Sequence, residues 1–398
     1  MSIKQIPRKV STETSPYPSS GSDVILTQND ANQLDGYDSD EEMGFSVAMS
    51  GDAKTMIVGR PRANNVDQGG ISGGVSLYRK NDLGVWALEG SLFPGNNSIG
   101  TRYGDCVAIA KNGQCAAVLS SGDGKVRIYR NDAETSVIIP GTKSIALNAD
   151  GSRIVIGVPT GGPSNAHGLV AVFTIIDHTH SGYDAITNYP IGTPITGLSS
   201  HDNAGDSVCI NDLGDIIAFT VPGRDDAGNN AGEVRVYKLT GLNWVQLGQD
   251  INNTASHFGM KSIAMDSTGL IVAIGHTLNT NGALEGVSVY KFNGSLWETL
   301  GTKASAIDIA SGTGTAVALS ADGYTLVTSN ADFASGDRHV VQVFRFNGFD
   351  WKLVGQDVEA LGTKNGHSLD ISADGKTIVA GAPAMNLNGR VYHYTLNV

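Results

Sequence analysis

One short phrase, valine–any residue–apolar–aromatic, recurs seven times along this chain and constrains its fold more than any other feature. It reads Val75-Ser-Leu-Tyr78, Val126-Arg-Ile-Tyr129, Val170-Ala-Val-Phe173 and Val234-Arg-Val-Tyr237, then Val287-Ser-Val-Tyr290, Val341-Gln-Val-Phe344 and Val391-Tyr-His-Tyr394. The copies lie roughly 45 to 65 residues apart, a spacing typical of units that stack because none buries its apolar face alone. Ahead of each copy stand two alternating segments joined by a tight turn, as in FSVAMSGDAKTMIVG, KSIALNADGSRIVIG and HSLDISADGKTIVAG. Period-two alternation bounded by Asp-Gly or Asn-Gly marks half-buried antiparallel strands joined by hairpins. Behind four of the copies a further segment opens on tryptophan: Trp86, Trp244, Trp297 and Trp351. All four indoles fall at one repeat position, which reads as packing between units rather than a ligand-stacking set.

Four strands per unit and seven units predict an all-β fold, a single seven-bladed β-propeller of four-stranded antiparallel blades spanning residues 22–398. The last unit stops after its third strand. The missing outer strand stands at the other end of the chain, because SDVILTQND (22–30) precedes the first unit as WKLVGQDVE precedes the last. Pairing Val24 to Gln28 with Arg390 to Leu396 therefore closes the ring and removes two aggregation-prone edges. The outer strands of the second and third blades are the least regular. Residues 1–21 read as a flexible polar tail.

MGFSVAMSGDAKTMIVGRP…GGVSLY and GHSLDISADGKTIVAGAP…GRVYHY resemble the integrin-alpha-type FG-GAP repeat. The W-x-x-L-G-x-D-I outer strand resembles an LGxDI-type subgroup of it, found in large repetitive surface-type proteins. The resemblance runs from Gly44 to the C-terminus and implies the propeller. Its calcium role does not follow. The calcium blades of that family carry an acidic DxDxDG loop between first and second strands. Here those loops are SGDAK, KNG, NADG, NDLG, DSTG and SADG, which supply too few oxygens for the roughly six to eight the ion takes.

A net charge of −12 excludes the basic face that nucleic-acid binding needs. No apolar run reaches the length of a membrane span, and Lys4, Arg8 and Lys9 are not followed by the apolar core of a secretion signal. That pattern favours an intracellular or virion-associated setting, with the sequons at Asn96, Asn252 and Asn293 unused. The three cysteines form no disulfide framework. If Asn112-Gly113 is a two-residue turn, Cys115 faces Ala110 while Cys106 lies several rungs away, and Cys209 belongs to another unit.

The densest acidic run is Asp35, Asp38, Asp40, Glu41 and Glu42, which is either a cation (calcium) chelate or a solvated loop. His178 and His180 lack a third ligand nearby, and His201, His257 and His367 fall in blade crossings. No nucleophile, phosphate loop or acid pair stands out, so no catalytic residue and no cofactor is assigned. The two faces of the ring differ. One carries minimal turns; the other carries long, variable loops such as RPRANNVDQGGISGG, GRDDAGNNAGE and NADFASGDRH. Variable loops on a rigid scaffold suit recognition of a protein or glycan. The candidate contacts are Arg60, Arg62, Asn64, Asn65, Arg224, Asp225, Asp226 and Arg338, with Lys4, Arg8 and Lys9 anchoring the tail to a larger assembly such as a virion. The sequence thus reads as a non-enzymatic interaction or display module. The alternative is a carbohydrate-active propeller, either lectin or glycoside hydrolase.

Overall fold

The hairpin turns form because six of the seven begin on a side chain that folds back onto the second strand. Ser50 Oγ accepts the Thr55 N–H at 2.9 Å, and Asn148 Oδ1 accepts that of Arg153 at 2.8 Å. Asn211, Asp266, Ser320 and Ser372 bond Ile216, Ile271, Thr325 and Thr377 in the same way, at 2.9, 2.8, 3.0 and 2.9 Å. A short polar acceptor at this position stabilises a reversal locally, before any packing. Ala110 opens the remaining turn without one.

The computed structural model describes residues 25–28, 34–36, 40–65, 70–93, 99–130, 133–162, 167–176, 185–186, 189–225, 231–252, 260–276, 286–301, 316–332, 338–355, 358–361, 367–384 and 388–397. Among these no helix occurs, and the strands form seven antiparallel blades. Blade 1 comprises Ser46–Met49, Thr55–Arg60, Gly74–Lys80 and Trp86–Leu92, and blade 2 comprises Tyr103–Ile109, Cys115–Ser120, Lys125–Arg130 and Ala133–Ile138. Blades 3 to 6 begin at Ser144–Leu147, Val208–Ile210, Met260–Met265 and Ala316–Leu319. Blade 7 holds Ser368–Ile371, Thr377–Ala382 and Arg390–Asn397.

Its outer strand is Ile25–Gln28, with Ile25 opposite Asn397 and Gln28 opposite Tyr394, and Leu34–Asp35 continues the pairing against Val391 and Arg390. The ring closes as the sequence predicts. Short second segments of the same kind, Ile195–Thr196, Ile251–Asn252 and Val358–Leu361, pair with the third strands of blades 3, 4 and 6. The expectation of an irregular outer strand is met in blade 3, whose outer strand is Ala185–Ile186. It is not met in blade 2, where all six residues of Ala133–Ile138 pair in register with Arg130 to Lys125.

The apolar core lies in the seams between blades. Trp86, Trp297 and Trp351 are buried there and Trp244 half-buried. The indole N–H of Trp244, Trp297 and Trp351 donates to the carbonyls of Ile191, Leu247 and Leu300 in the preceding blade, at 2.8, 2.7 and 2.8 Å. At three other points backbones touch directly. Ser46, Ser144 and Ser368 donate to the carbonyls of Gly104, Gly205 and Gly44 in the next blade, at 2.8, 2.9 and 2.9 Å. A Cβ on Gly59, Gly157 or Gly381 would sit 2.1, 2.1 or 1.9 Å from those same oxygens, so only glycine fits. On one side of this contact stand Gly44, Gly104 and Gly205, each two residues before a Ser or Cys, and on the other the apolar-Gly-x-Pro segments of Gly59, Gly157 and Gly381.

At the turn face the seven hairpins bond to one another in a closed circle. Gly51 N donates to Lys111 O, Asn112 N to Ala149 O, Ala149 N to Asp212 O and Asp212 N to Ser267 O. Ser267 N then donates to Ala321 O, Ala321 N to Ala373 O, and Ala373 N back to Gly51 O, all at 2.9 to 3.3 Å. The collar explains why these turns are all minimal.

The cysteines are free. Ala110 N donates to Cys115 O at 2.8 Å and Cys106 pairs with Leu119, so the two are several rungs apart. Burial pushes the Cys106 thiol up to about 11 and the Cys209 thiol higher still, so both stay protonated at neutral pH.

Candidate functional site

Antiparallel alternation places the second-to-third strand loops and the blade crossings together, on the face opposite the collar. Around the channel mouth on that face stand the residues one position before each inner-strand serine, or its counterpart. They are Phe45, Asp105, Lys143, Asp206 and His367 in blades 1, 2, 3, 4 and 7. Lys143 and Asp206 form an ion pair across the seam of blades 3 and 4.

Across blades 7, 1 and 2 the mouth carries a continuous row of side chains. The His367 ring lies 4.6 Å from that of Phe45, and its Nδ1 is 2.9 Å from the Phe45 carbonyl. The Arg102 guanidinium sits over the Phe45 ring, 5.4 Å from its centroid, a cation–π contact. Arg102 donates to Asp105 through Nε at 2.9 Å and lies 2.7 Å from it through Nη2, and a hydroxyl hydrogen bond from Ser121 reaches the same carboxylate. The hydrogen bond to Asp105 raises the Arg102 pKa further, so its charge is permanent. Glu42 stands between Arg62 and Arg102, 3.8 and 3.9 Å from each. The backbone holds Glu42 and Arg102 at φ of 58° and 53°, a left-handed conformation that is uncommon outside glycine. Arg62 and His367 are exposed and Arg102 is 41% accessible, so the row is presented outward.

The acidic run divides along this face. Glu41 is fully buried and pairs with Arg60 at 2.8 Å, and Arg60 stacks over Phe93 at 5.5 Å. Arg60 ends the second strand of blade 1 and acts as an internal strut. Asp35 pairs with Arg390 of blade 7, Asp40 is exposed at φ 65°, and Asp38 lies outside the described residues. Among the described residues no group of three or more His, Cys, Asp or Glu is placed to hold a metal. His178, His180 and His257 also lie outside them, and His201 is exposed at φ 68°.

The candidates in blade 4 sit on a second charged cluster. Arg224 donates to Ser199 Oγ at 3.0 Å and lies 3.6 Å from buried Asp202, whose carboxylate also accepts the N–H groups of Leu198 and Ser199 at 2.8 Å. Behind it Glu233 and Arg235 form a buried pair. Desolvation raises the Glu233 pKa, against the pull of Arg235. Asn64 and Asp225 are exposed. The side chains of Asn65 and Arg338, the whole of Asp226, and Lys4, Arg8 and Lys9 lie outside what is described, though Arg338 opens the third strand of blade 6. Phe45, Arg102 and Asp105 escape motif reading because their partners are distant in sequence. The signal that finds them is the repeat position itself, whose identity changes from blade to blade.

No family model matches the sequence, and no curated protein is detectably similar to it. Known structures do share its architecture. A hydrazine synthase chain from Kuenenia stuttgartiensis superposes with a TM-score of 0.57 at 14% identity, covering 89% of this chain and 96% of that one. The WD40 repeats of RRP9 give 0.57 at 12% identity, covering 94% and 100%, and U3-55K gives 0.57 at 11%, covering 93% and 100%. The shared feature is the propeller. At such identities the likeness carries the fold and nothing of the chemistry.

Proposed function

We propose that this chain is a non-catalytic protein-interaction propeller, built of FG-GAP-like repeats, which docks its partner on the variable-loop face. The observation that carries this reading is the row His367–Phe45–Arg102–Glu42–Arg62, continuous across two seams and fixed by a tilted ring contact, a cation–π contact, ion pairs and left-handed backbone. Exposed aromatic and arginine side chains on a rigid frame are the commonest energetic anchors of protein interfaces. The carboxylates nearest the mouth, Glu42, Asp105 and Asp206, each face an arginine or lysine, which suits recognition better than acid–base work on a sugar. WD40 propellers among the structural neighbours support an interaction role.

In this reading the tail of residues 1–21, with Lys4, Arg8 and Lys9, is a separate tether to a larger assembly. The test is quantitative capture from the native source with three proteins: the full chain, the chain lacking residues 1–21, and the double variant Arg62→Glu, Arg102→Glu. Loss of the main partner with the double variant and its retention without the tail supports the loop face. The reverse pattern overturns it, and a specific glycan-array signal would replace a protein partner with a sugar.

A further inference from the structure

Four seams hold an indole against the same five repeat positions. Trp351 lies with Ala273, Val289, Leu319, Leu326 and Phe344 in the seam of blades 5 and 6. Trp297 lies with Ala218, Val236, Met265, Val272 and Tyr290 between blades 4 and 5. Trp244 meets the equivalent set Val155, Val172, Ile210, Ile217 and Tyr237. In the seam of blades 7 and 1, Trp86 packs with Val379, Met49, Met56 and Tyr78, and edge-on to His393.

The counterparts between blades 1 and 2 are Ile57, Leu77, Ile109, Ala116 and Tyr129. No indole meets them. In blade 2 the last described pair of third and outer strands is Arg130 with Ala133. That is one rung short of the rung on which Trp86, Trp244, Trp297 and Trp351 pair, and the intervening sequence, Asn131-Asp132, holds no tryptophan. In its place is an open cleft of ≈ 770 Å³ lined by these same five side chains. Ala116, where other blades have Met, Val, Leu or Ile, deepens it. Gly90 stands opposite Leu77, where Leu247 and Leu300 stand opposite Val236 and Val289 in the blades whose carbonyls accept an indole N–H. Nothing lies within 4 Å of where a Gly90 Cβ would be.

We propose that the cleft between blades 1 and 2 is a receptor slot for a tryptophan side chain carried on an extended segment of a partner protein. The indole occupies the place that Trp297 and Trp351 fill in their seams, and its N–H is donated to the Gly90 carbonyl. Lys54, Arg79 and Arg130 line the cleft with Asp52 and Glu134, and Arg79 pairs with Glu89, so the rim is charge-balanced and the indole itself carries recognition. Leu92 on the outer strand of blade 1, 37% exposed, adds a further apolar wall to the cleft. The slot opens on the collar side of the ring, away from the loop face proposed above, and the two sites are tested separately.

The probe is a capped peptide of the sequence GFDWKLVG, residues 348–355, which seats Trp351 in its own seam. Calorimetric titration of the full chain should show saturable one-to-one binding, weakened about tenfold or more when alanine replaces tryptophan. Ala116→Met fills the slot with the residue blade 1 has at that position and should weaken binding about as much, while leaving the Tm unchanged or raised. A peptide with benzoylphenylalanine at the tryptophan position should cross-link to the cleft strands in the unaltered protein, whatever the variant does. Equal binding of the alanine peptide, cross-links elsewhere, or no binding up to millimolar peptide would overturn the proposal.

Discussion

Asp370 shows how much one position can differ from its repeats. Its counterparts in the other six inner strands are Ala48, Ala108, Ala146, Cys209, Ala264 and Ala318, all small. Its carboxylate accepts the Met49 N–H across the seam of blades 7 and 1 at 2.7 Å, and the Ile371 N–H at 2.8 Å. Burial raises its pKa from 3.8 to about 6, opposed by those two N–H groups and by the Lys111 ammonium. An acid whose folded pKa lies above its unfolded one holds its proton more tightly when folded. Its contribution is therefore fully present below the unfolded pKa and lost as pH rises through the folded one. Asp370→Asn keeps an acceptor and cannot ionise. It should be more stable than the parent by roughly 1–2 kcal/mol at pH 7.5, with the gap narrowing as pH falls below about 6 and closing only below 3.8, as read from urea unfolding at several pH values. A variant less stable at pH 7.5 would contradict the assignment. The seam glycines give a second contrast. Gly381→Ala forces a Cβ into the Gly44 carbonyl and should cost about 2 kcal/mol or more, whereas Gly90→Ala meets open space and should stay within about 0.5 kcal/mol. Asp370 was visible in the sequence only as a letter out of pattern. That it reaches Met49, more than 300 positions away, follows from ring closure and not from any local rule.

At the scale of strands, period and turn chemistry were legible because both are local. Alternation gave the strands, and the Ser, Asn or Asp that opens six of the seven turns bonds a residue only five positions on. The outer strands were harder. Their breaks at Leu-Gly in blade 4 and Val-Gly in blade 6 separate two short pairings with one third strand, a pattern that period-two reading merges into one. The outer strand of blade 2 read as irregular, yet all six residues of Ala133–Ile138 pair; what this blade lacks is the tryptophan knob, not the strand. The knobs themselves divide by what the indole N–H meets. In Trp297 and Trp351 it reaches a main-chain carbonyl, whereas the buried Nε1 of Trp86 has no hydrogen-bond partner among the described residues. Trp297→Phe and Trp351→Phe should therefore each cost about 1 kcal/mol more than Trp86→Phe, measured by equilibrium unfolding. Equal losses would mean that the carbonyl contact adds nothing beyond packing.

The whole molecule is fastened in three ways that act at different radii. The collar of hairpin bonds joins neighbouring blades at one face, the Ser-to-Gly contacts join three seams at the other, and the pairing of Ile25–Gln28 with blade 7 holds the periphery. Only the last depends on the start of the chain. Removing residues 1–21 leaves all three intact and should keep the Tm within about 1 °C. Removing residues 1–28 leaves Tyr394 to Asn397 as an unpaired edge while the collar and the Ser368–Gly44 contact still hold the ring. That protein should fold, melt at least about 5 °C lower, and scatter light in a concentration-dependent way as the new edge seeks strands. A synthetic peptide of residues 20–36 should then restore the Tm by adding back the strand in trans, as main-chain pairing on an open edge allows. Should the shorter chain keep the parent Tm, the inner fastenings alone hold the ring, and the N-terminal strand serves to mask an edge rather than to stabilise the fold.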